Sequence, residues 1–99
     1  NVAVVSTAPT LIASYAKATY RSAKFVMSIT NNNANAYTAS ELLVLHNGGD
    51  AFMSEYAGIH SNTSFGTFSA NADATTVRLY FTSTSNNAVI KHDATYLTV

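Results

Sequence analysis

Residues 21–30 read Arg-Ser-Ala-Lys-Phe-Val-Met-Ser-Ile-Thr, and this stretch decides the fold class. Apolar and polar residues alternate along it. Ala23, Phe25, Met27 and Ile29 fall on one face, and Val26 is the single apolar residue on the other. A period of two residues is typical of a β-strand that buries one face and exposes the other. The stretch therefore predicts a half-buried strand.

The next five residues, 31–35, are four asparagines and an alanine. They predict a loop because asparagine tolerates the left-handed backbone conformation. Residues 41–46 read Glu-Leu-Leu-Val-Leu-His, and this continuous apolar run predicts a strand covered on both faces, in the middle of a sandwich. Asn47-Gly48-Gly49-Asp50 predicts a hairpin turn. The chain then returns along residues 51–59.

Further strands follow from the same signals. Residues 64–70 predict a short strand, with a bulge or bend at Gly66 because Phe65 and Phe68 have odd spacing. Residues 75–83 alternate, with Val77, Leu79 and Phe81 inward. The other predicted elements are a turn at 61–63, a hairpin at 85–87 into a strand at 88–92, an extension or last strand at 95–99, and weaker strands at 2–5 and 10–15.

These elements add up to an all-β, antiparallel β-sandwich of seven to eight strands, either jelly-roll or Ig-like. Turns recur about every 8–12 residues, which is typical of that architecture. The chain of 99 residues is one small domain. Residues 19–99 are expected to form the sandwich, and residues 1–18 an N-terminal arm or its first strands.

The composition excludes several classes of protein. Charged residues make up 10% of the chain and the formal net charge is 0, whereas threonine, serine and asparagine fill 34 positions. Nucleic-acid binding needs a basic stripe that five scattered cations cannot form. No apolar run reaches the roughly 18 residues of a membrane span, and cysteine is absent. We expect no nucleic-acid partner, no membrane insertion and no cofactor.

The sequence contains few residue patterns that indicate catalysis or metal binding. His46, His60 and His92 lack ligand spacing, and no Gly-x-Ser-x-Gly elbow is present. Glu41 and Glu55 are equidistant from Gly48 and could face each other across the hairpin, although two solvated strand residues explain them equally simply. We therefore expect a protein that is not an enzyme and holds no metal.

A surface with few charges and many small polar side chains can be buried against copies of itself at low desolvation cost. Exposed tyrosines beside asparagine would suit sugar stacking or a protein interface. The candidate interface or glycan-contact residues are Tyr37, Asn47, Tyr56 and Tyr80.

Five blocks of sequence resemble a module of virion structural and tail-fibre-like proteins of tailed phages, especially those of marine cyanobacteria. They run in order through Thr19–Phe25 (Thr-Tyr-Arg-Ser-Ala-Lys-Phe), Ser40–Gly48, Glu55–Ile59, Phe65–Phe68 and Val77–Leu79. The resemblance covers residues 19–99. It implies a β-sandwich module that builds an appendage or capsid surface, without catalytic residues. In this motif Arg21 is expected at the edge of the inner face, paired with Glu41 or Glu55.

The leading functional hypothesis is a non-enzymatic virion module, a capsid decoration or a tail or fibre component. Such a module would form homo-oligomers or dock on other virion structural proteins. A carbohydrate-binding domain for a host surface glycan is the first alternative. An extracellular filament or surface-layer subunit is the second, because composition alone suits it equally.

Overall fold

A computed structural model of the chain describes residues 2–33, 35–61, 66–84 and 87–99. The described residues form eight strands in two antiparallel sheets, which confirms the predicted β-sandwich. The strands are β1 (Val2–Val4), β2 (Thr10–Ala16), β3 (Tyr20–Asn31), β4 (Ala36–His46), β5 (Ala51–His60), β6 (Gly66–Ala72), β7 (Thr76–Ser83) and β8 (Ala88–Thr98).

One sheet has five strands in the order β1-β8-β3-β4-β5, and the other has three in the order β2-β7-β6. The first and last strands pair in one sheet, and the second and seventh pair in the other. The two chain-terminal strands therefore lie side by side, and β3, β4 and β5 form a meander within the five-stranded sheet. Residues 2–16 thus supply one strand to each sheet.

The core lies between the sheets and follows the predicted alternation. Phe25, Met27 and Ile29 of β3 are each 1% exposed, and they face Val77, Leu79 and Phe81 of β7 across the sandwich. The outward partners of the β3 residues, such as Lys24 and Ser28, are exposed. Burial of one face of each strand therefore fixes the register, because a shift of one residue would move every apolar side chain to solvent.

Two connections differ from the expectation. β7 lies between β2 and β6, whereas β8 lies between β1 and β3 in the other sheet. The hairpin predicted at 85–87 is therefore wrong, because β7 and β8 do not pair; Ser85 and Asn86 lie outside the described residues. The turn predicted at 61–63 lies partly outside them as well, and the strands on either side of it, β5 and β6, belong to different sheets.

The interpretation of residues 41–46 as covered on both faces is also wrong. Leu42 and Val44 are fully buried, but Leu43 is 47% and Leu45 is 43% exposed. In a two-sheet sandwich each sheet has one inner face only, so half of an apolar run must point outward. Leu43 and Leu45 therefore lie on the outer surface of the five-stranded sheet.

The bulge or bend predicted at Gly66 is wrong within the described pairs. β6 pairs with β7 in regular register from Gly66, which lies opposite Ser83, to Ala72, which lies opposite Val77. Phe65, whose spacing from Phe68 suggested the bulge, lies outside the described residues. Register shifts occur instead at three other places: between Leu11 and Ala13, between Tyr20 and Ser22, and between Ala39 and Glu41.

Asp73 closes the β6–β7 hairpin. Its Oδ1 accepts hydrogen bonds from the backbone N–H of Thr75 at 2.9 Å and of Thr76 at 2.7 Å, and its other oxygen pairs with Arg78. The hydrogen bonds from Thr75 and Thr76, followed by the Arg78 charge, lower the pKa of Asp73 below its ordinary value of 3.8. The turn is therefore stabilised by an ionised carboxylate.

This turn predicts a loss of stability in acid. A lowered folded-state pKa stabilises the fold above pH 3.8, and the stabilisation is lost as pH falls through the folded value. Asp73→Asn keeps an acceptor for both N–H groups but cannot titrate. Urea midpoints at pH 7 and pH 3 should differ less for this variant than for the wild type. Equal pH dependence in the two proteins would contradict the role given to Asp73.

Candidate functional site

The candidate site is the outer face of the five-stranded sheet. Among the described residues, most of the large exposed apolar side chains lie on this face, and we call them the outer apolar face. They are Val26 (46% exposed), Tyr37, Leu43, Leu45, Phe52, Tyr56, Ile59 and Leu97. The other exposed large apolar residues are Leu11 on the outside of the three-stranded sheet, and Val5 and Val99, which lie beyond strand ends.

Strand register brings the members of this face together. Leu45 pairs with Phe52 on β5 and with Ser22 on β3, and Ser22 pairs in turn with Leu97 on β8. Two residues from Leu45 along β4, Leu43 lies beside Lys24 of β3. Leu43, Leu45 and Phe52 line a shallow depression of about 200 Å³. This volume is below the range of about 300–1,000 Å³ typical of small-molecule pockets, so the depression suits a flat contact better than a small ligand.

Charges of opposite sign balance on this face. Lys24 and Lys91 contribute positive charge, and Glu41 and Asp93 contribute negative charge. Lys24 Nζ and Glu41 Oε1 are 3.8 Å apart, with both side chains partly exposed, so this pair contributes little to stability. The face is therefore neutral as well as apolar.

The four candidate contact residues do not form one site. Tyr37 and Tyr56 lie on the outer apolar face, two strand-pair rows or about 13 Å apart. Tyr80 is half-buried on the outside of the three-stranded sheet, at the opposite surface of the molecule. Asn47 lies in the β4–β5 turn, where its Oδ1 accepts from Gly49 N at 3.0 Å and from Asp50 N at 2.8 Å.

The carboxylates expected to face each other lie on opposite faces. The turn centre falls between Gly48 and Gly49, so Glu41 is opposite Tyr56 and Glu55 is opposite Leu42. The turn is centred half a residue later than the expected centre at Gly48. This shift places Glu55 on the inner side of the sheet. There it borders a small cavity of about 10 Å³, beside His60 and Phe68, with room for about one water molecule.

Arg21 has a different partner from those expected. It is exposed, and its Nη1 donates to the backbone carbonyl of His46 at 3.1 Å. Among the described residues Glu41 pairs with Lys24, and Arg21 forms no ion pair with either glutamate. The reason is position: Arg21 lies beyond the last β3–β4 backbone pair, Ser22 with Leu45, at the far end of the strand from Glu41.

His46 is a residue whose importance the sequence analysis missed. It ends β4 but is only 2% exposed. Its Nδ1 accepts from Gly48 N at 3.0 Å, so the neutral ring carries its proton on Nε2, which donates to the carbonyl of Tyr20 at 2.8 Å. Together with the bond from Arg21, side chains thus continue the β3–β4 ladder after backbone pairing ends.

A cluster of aromatic rings packs against the His46 ring. Tyr15 is 6% exposed and has ring contacts with Tyr20, His46 and Tyr96 at centroid distances of 5.7–6.4 Å. Its buried hydroxyl has no hydrogen-bond partner among the described residues. Burial, followed by the nearby Tyr96, raises the pKa of Tyr15 above its ordinary value of 10.0.

Tyr15 predicts an alkaline limit to stability. Because the pKa of Tyr15 is higher in the folded state than in the unfolded chain, the neutral hydroxyl contributes its full stabilisation below pH 10. That contribution is lost as the pH rises through the folded-state pKa. Tyr15→Phe should unfold at higher pH than the wild type and, at pH 7, keep or gain up to about 1 kcal/mol, because a buried unpaired hydroxyl is costly. Chemical denaturation at pH 7 and pH 11 measures both effects. A loss above 1 kcal/mol at pH 7 would show that the hydroxyl is bonded.

Other sites are not evident in the described part of the chain. It contains no group of three or more metal-ligating side chains. Nor do its residues form a helix long and apolar enough to cross a membrane. No family model matches the sequence, and neither the curated proteins nor the solved structures contain a similar chain. Among the described residues, the outer apolar face is therefore the strongest indication of function.

Proposed function

We propose that this chain is a non-enzymatic structural module of a virion, a capsid decoration or a tail or fibre component, that works by packing against copies of itself or neighbouring structural proteins. The outer apolar face carries the proposal. Exposed large apolar side chains that gather on one face mark candidate interaction surfaces, and Leu43, Leu45 and Phe52 line one depression there. The virion assignment is supported by the phage-module resemblance of residues 19–99.

The charge balance supports the same function. A formal net charge of 0 gives no net long-range repulsion between copies. Interface centres are enriched in tyrosine and phenylalanine, and the outer apolar face contains Tyr37, Phe52 and Tyr56.

The glycan-binding alternative is less well supported by the geometry. Among the described residues, a single aromatic is available to it: Tyr37 lines a shallow depression of about 240 Å³ with Ser28 and His60. Tyr56 and Tyr80 lie far from Tyr37 or on the opposite surface. Asn47 is engaged by its own turn. The filament or surface-layer alternative shares the assembly chemistry and differs in its biological setting only.

Sedimentation velocity between about 5 and 500 µM tests the proposal. We expect the mass to rise above the 10.5 kDa of one chain as concentration increases. A concentration-independent monomer that binds sugars on a glycan array would overturn the assembly function. Portal, sheath or fibre genes beside the parent reading frame would separate a virion protein from a cellular filament.

A further inference from the structure

The two outer surfaces of the sandwich differ sharply in character. Among the described residues, Leu11 is the only large apolar side chain exposed on the outer face of the three-stranded sheet. The outer face of the five-stranded sheet carries all eight members of the outer apolar face. Any contact driven by apolar burial would therefore use the five-stranded sheet.

The dimensions of this face suit a stable pair. The molecule measures 40 × 24 × 18 Å, and a twelve-residue strand and a five-stranded sheet account for the two larger values. A face of about 40 × 24 Å can supply the roughly 800 Å² per partner that specific interfaces bury. No further domain or extended tail is needed to reach that area.

The charges favour a second copy over a charged partner. Lys24 and Lys91 are matched on this face by Glu41 and Asp93. A twofold interface brings the same surface together with itself, so it is most favourable where opposite charges are equally represented. A strongly acidic or basic partner would gain nothing from a neutral face.

The exposed edge of the same sheet is protected against strand addition. β5 is an edge strand, but it is interrupted by a register shift opposite residues 39–41, where Ala57 has a φ of 53°. Glu55 points inward from it. A bulge and an inward-pointing charge are two devices by which natural sheets block edge-to-edge pairing. Strand addition at the β5 edge is therefore disfavoured.

We propose that two copies of this chain pack face to face through their outer apolar faces, related by a twofold axis, with Leu43 inside the contact. This inference rests on the proposed assembly function and names its partner. Larger assemblies would then use this dimer as their unit.

Leu43→Lys and Leu11→Lys form a matched pair for the test, because the two leucines are 47% and 46% exposed on opposite sheets. Sedimentation of the full chain should give a dimer for the wild type and for Leu11→Lys. Leu43→Lys should weaken dimerisation by roughly 100-fold, because it places an unpaired charge in the contact. Leu43→Ser, which adds no charge, should weaken it by roughly 10-fold, and circular dichroism should show folded strands in each variant.

The outcomes separate the two proposals. If the wild type associates and both Leu43 variants associate equally well, the face-to-face dimer is overturned and the assembly function stands. If association is lost with Leu11→Lys instead, the contact uses the other sheet and the inference is equally overturned. A wild-type chain that stays monomeric throughout overturns the face-to-face dimer, and the assembly function falls with it only if that monomer also binds sugars on a glycan array.

Discussion

Replacing His46 with alanine is expected to lower the free energy of unfolding by about 3 kcal/mol, because it removes two buried hydrogen bonds and core volume together. Nε2 donates to the Tyr20 carbonyl and Nδ1 accepts from Gly48 N, so the ring joins the start of β3 to the β4–β5 turn. The ring also packs against Tyr15. Urea denaturation at pH 7 measures the loss.

Two further variants separate the causes. His46→Phe keeps an aromatic ring, slightly larger than imidazole, without a donor or acceptor, so it should stay well below wild-type stability if the hydrogen bonds matter. His92→Ala is the control, because His92 is an exposed histidine on β8 and its loss should cost less than about 1 kcal/mol. Wild-type stability in His46→Phe would show that packing alone explains the effect.

Gly66→Ala is the second change with a large expected effect, a loss of about 3 kcal/mol. A Cβ at this position would lie 2.2 Å from Cζ of Phe81 and 2.6 Å from the carbonyl oxygen of Thr82. Phe81 is 1% exposed, and the second atom belongs to the backbone of β7. Neither can move away without disturbing the core, since protein interiors are close-packed.

Gly49→Ala is the matched control for this variant. Gly49 lies in the exposed β4–β5 turn, and the nearest atom to an added Cβ is 3.7 Å away, so stability should change by less than about 0.5 kcal/mol. Adding Phe81→Leu to Gly66→Ala removes the ring contact and should recover part of the loss, as measured by a double-mutant cycle. If the stability losses of the two substitutions simply add, the Phe81 ring is not the group that clashes with the new Cβ at position 66.

Much of the local structure was predictable because its causes are local. The inward positions of β3 and β7 follow from alternation, and the Asn47–Asp50 turn follows from residues that accept its backbone angles: Gly48 has a φ of 97°. The outward position of Tyr80 follows from the same period. These predictions need no knowledge of any distant part of the chain.

The candidate site was only partly predictable. Tyr37 and Tyr56 are on the outer apolar face, but Leu43, Leu45 and Phe52 were not among the candidate residues. Their signal was present in the continuous apolar run at 41–46, which in a two-layer sandwich must expose every second residue. The pairing of Glu41 and Glu55 failed for a different reason, since a small change in turn centre reverses the face of a strand residue.

Local sequence patterns are enough to establish an all-β, low-charge domain with strands of fixed inward and outward faces, because alternation and turn chemistry act over a few residues. The tertiary structure assigns the neighbours of each strand, since β7 and β8 follow one another in the chain and enter different sheets. It also decided that His46 is buried and that Leu43 is not. Both depend on contacts between residues distant in sequence, which no local pattern contains.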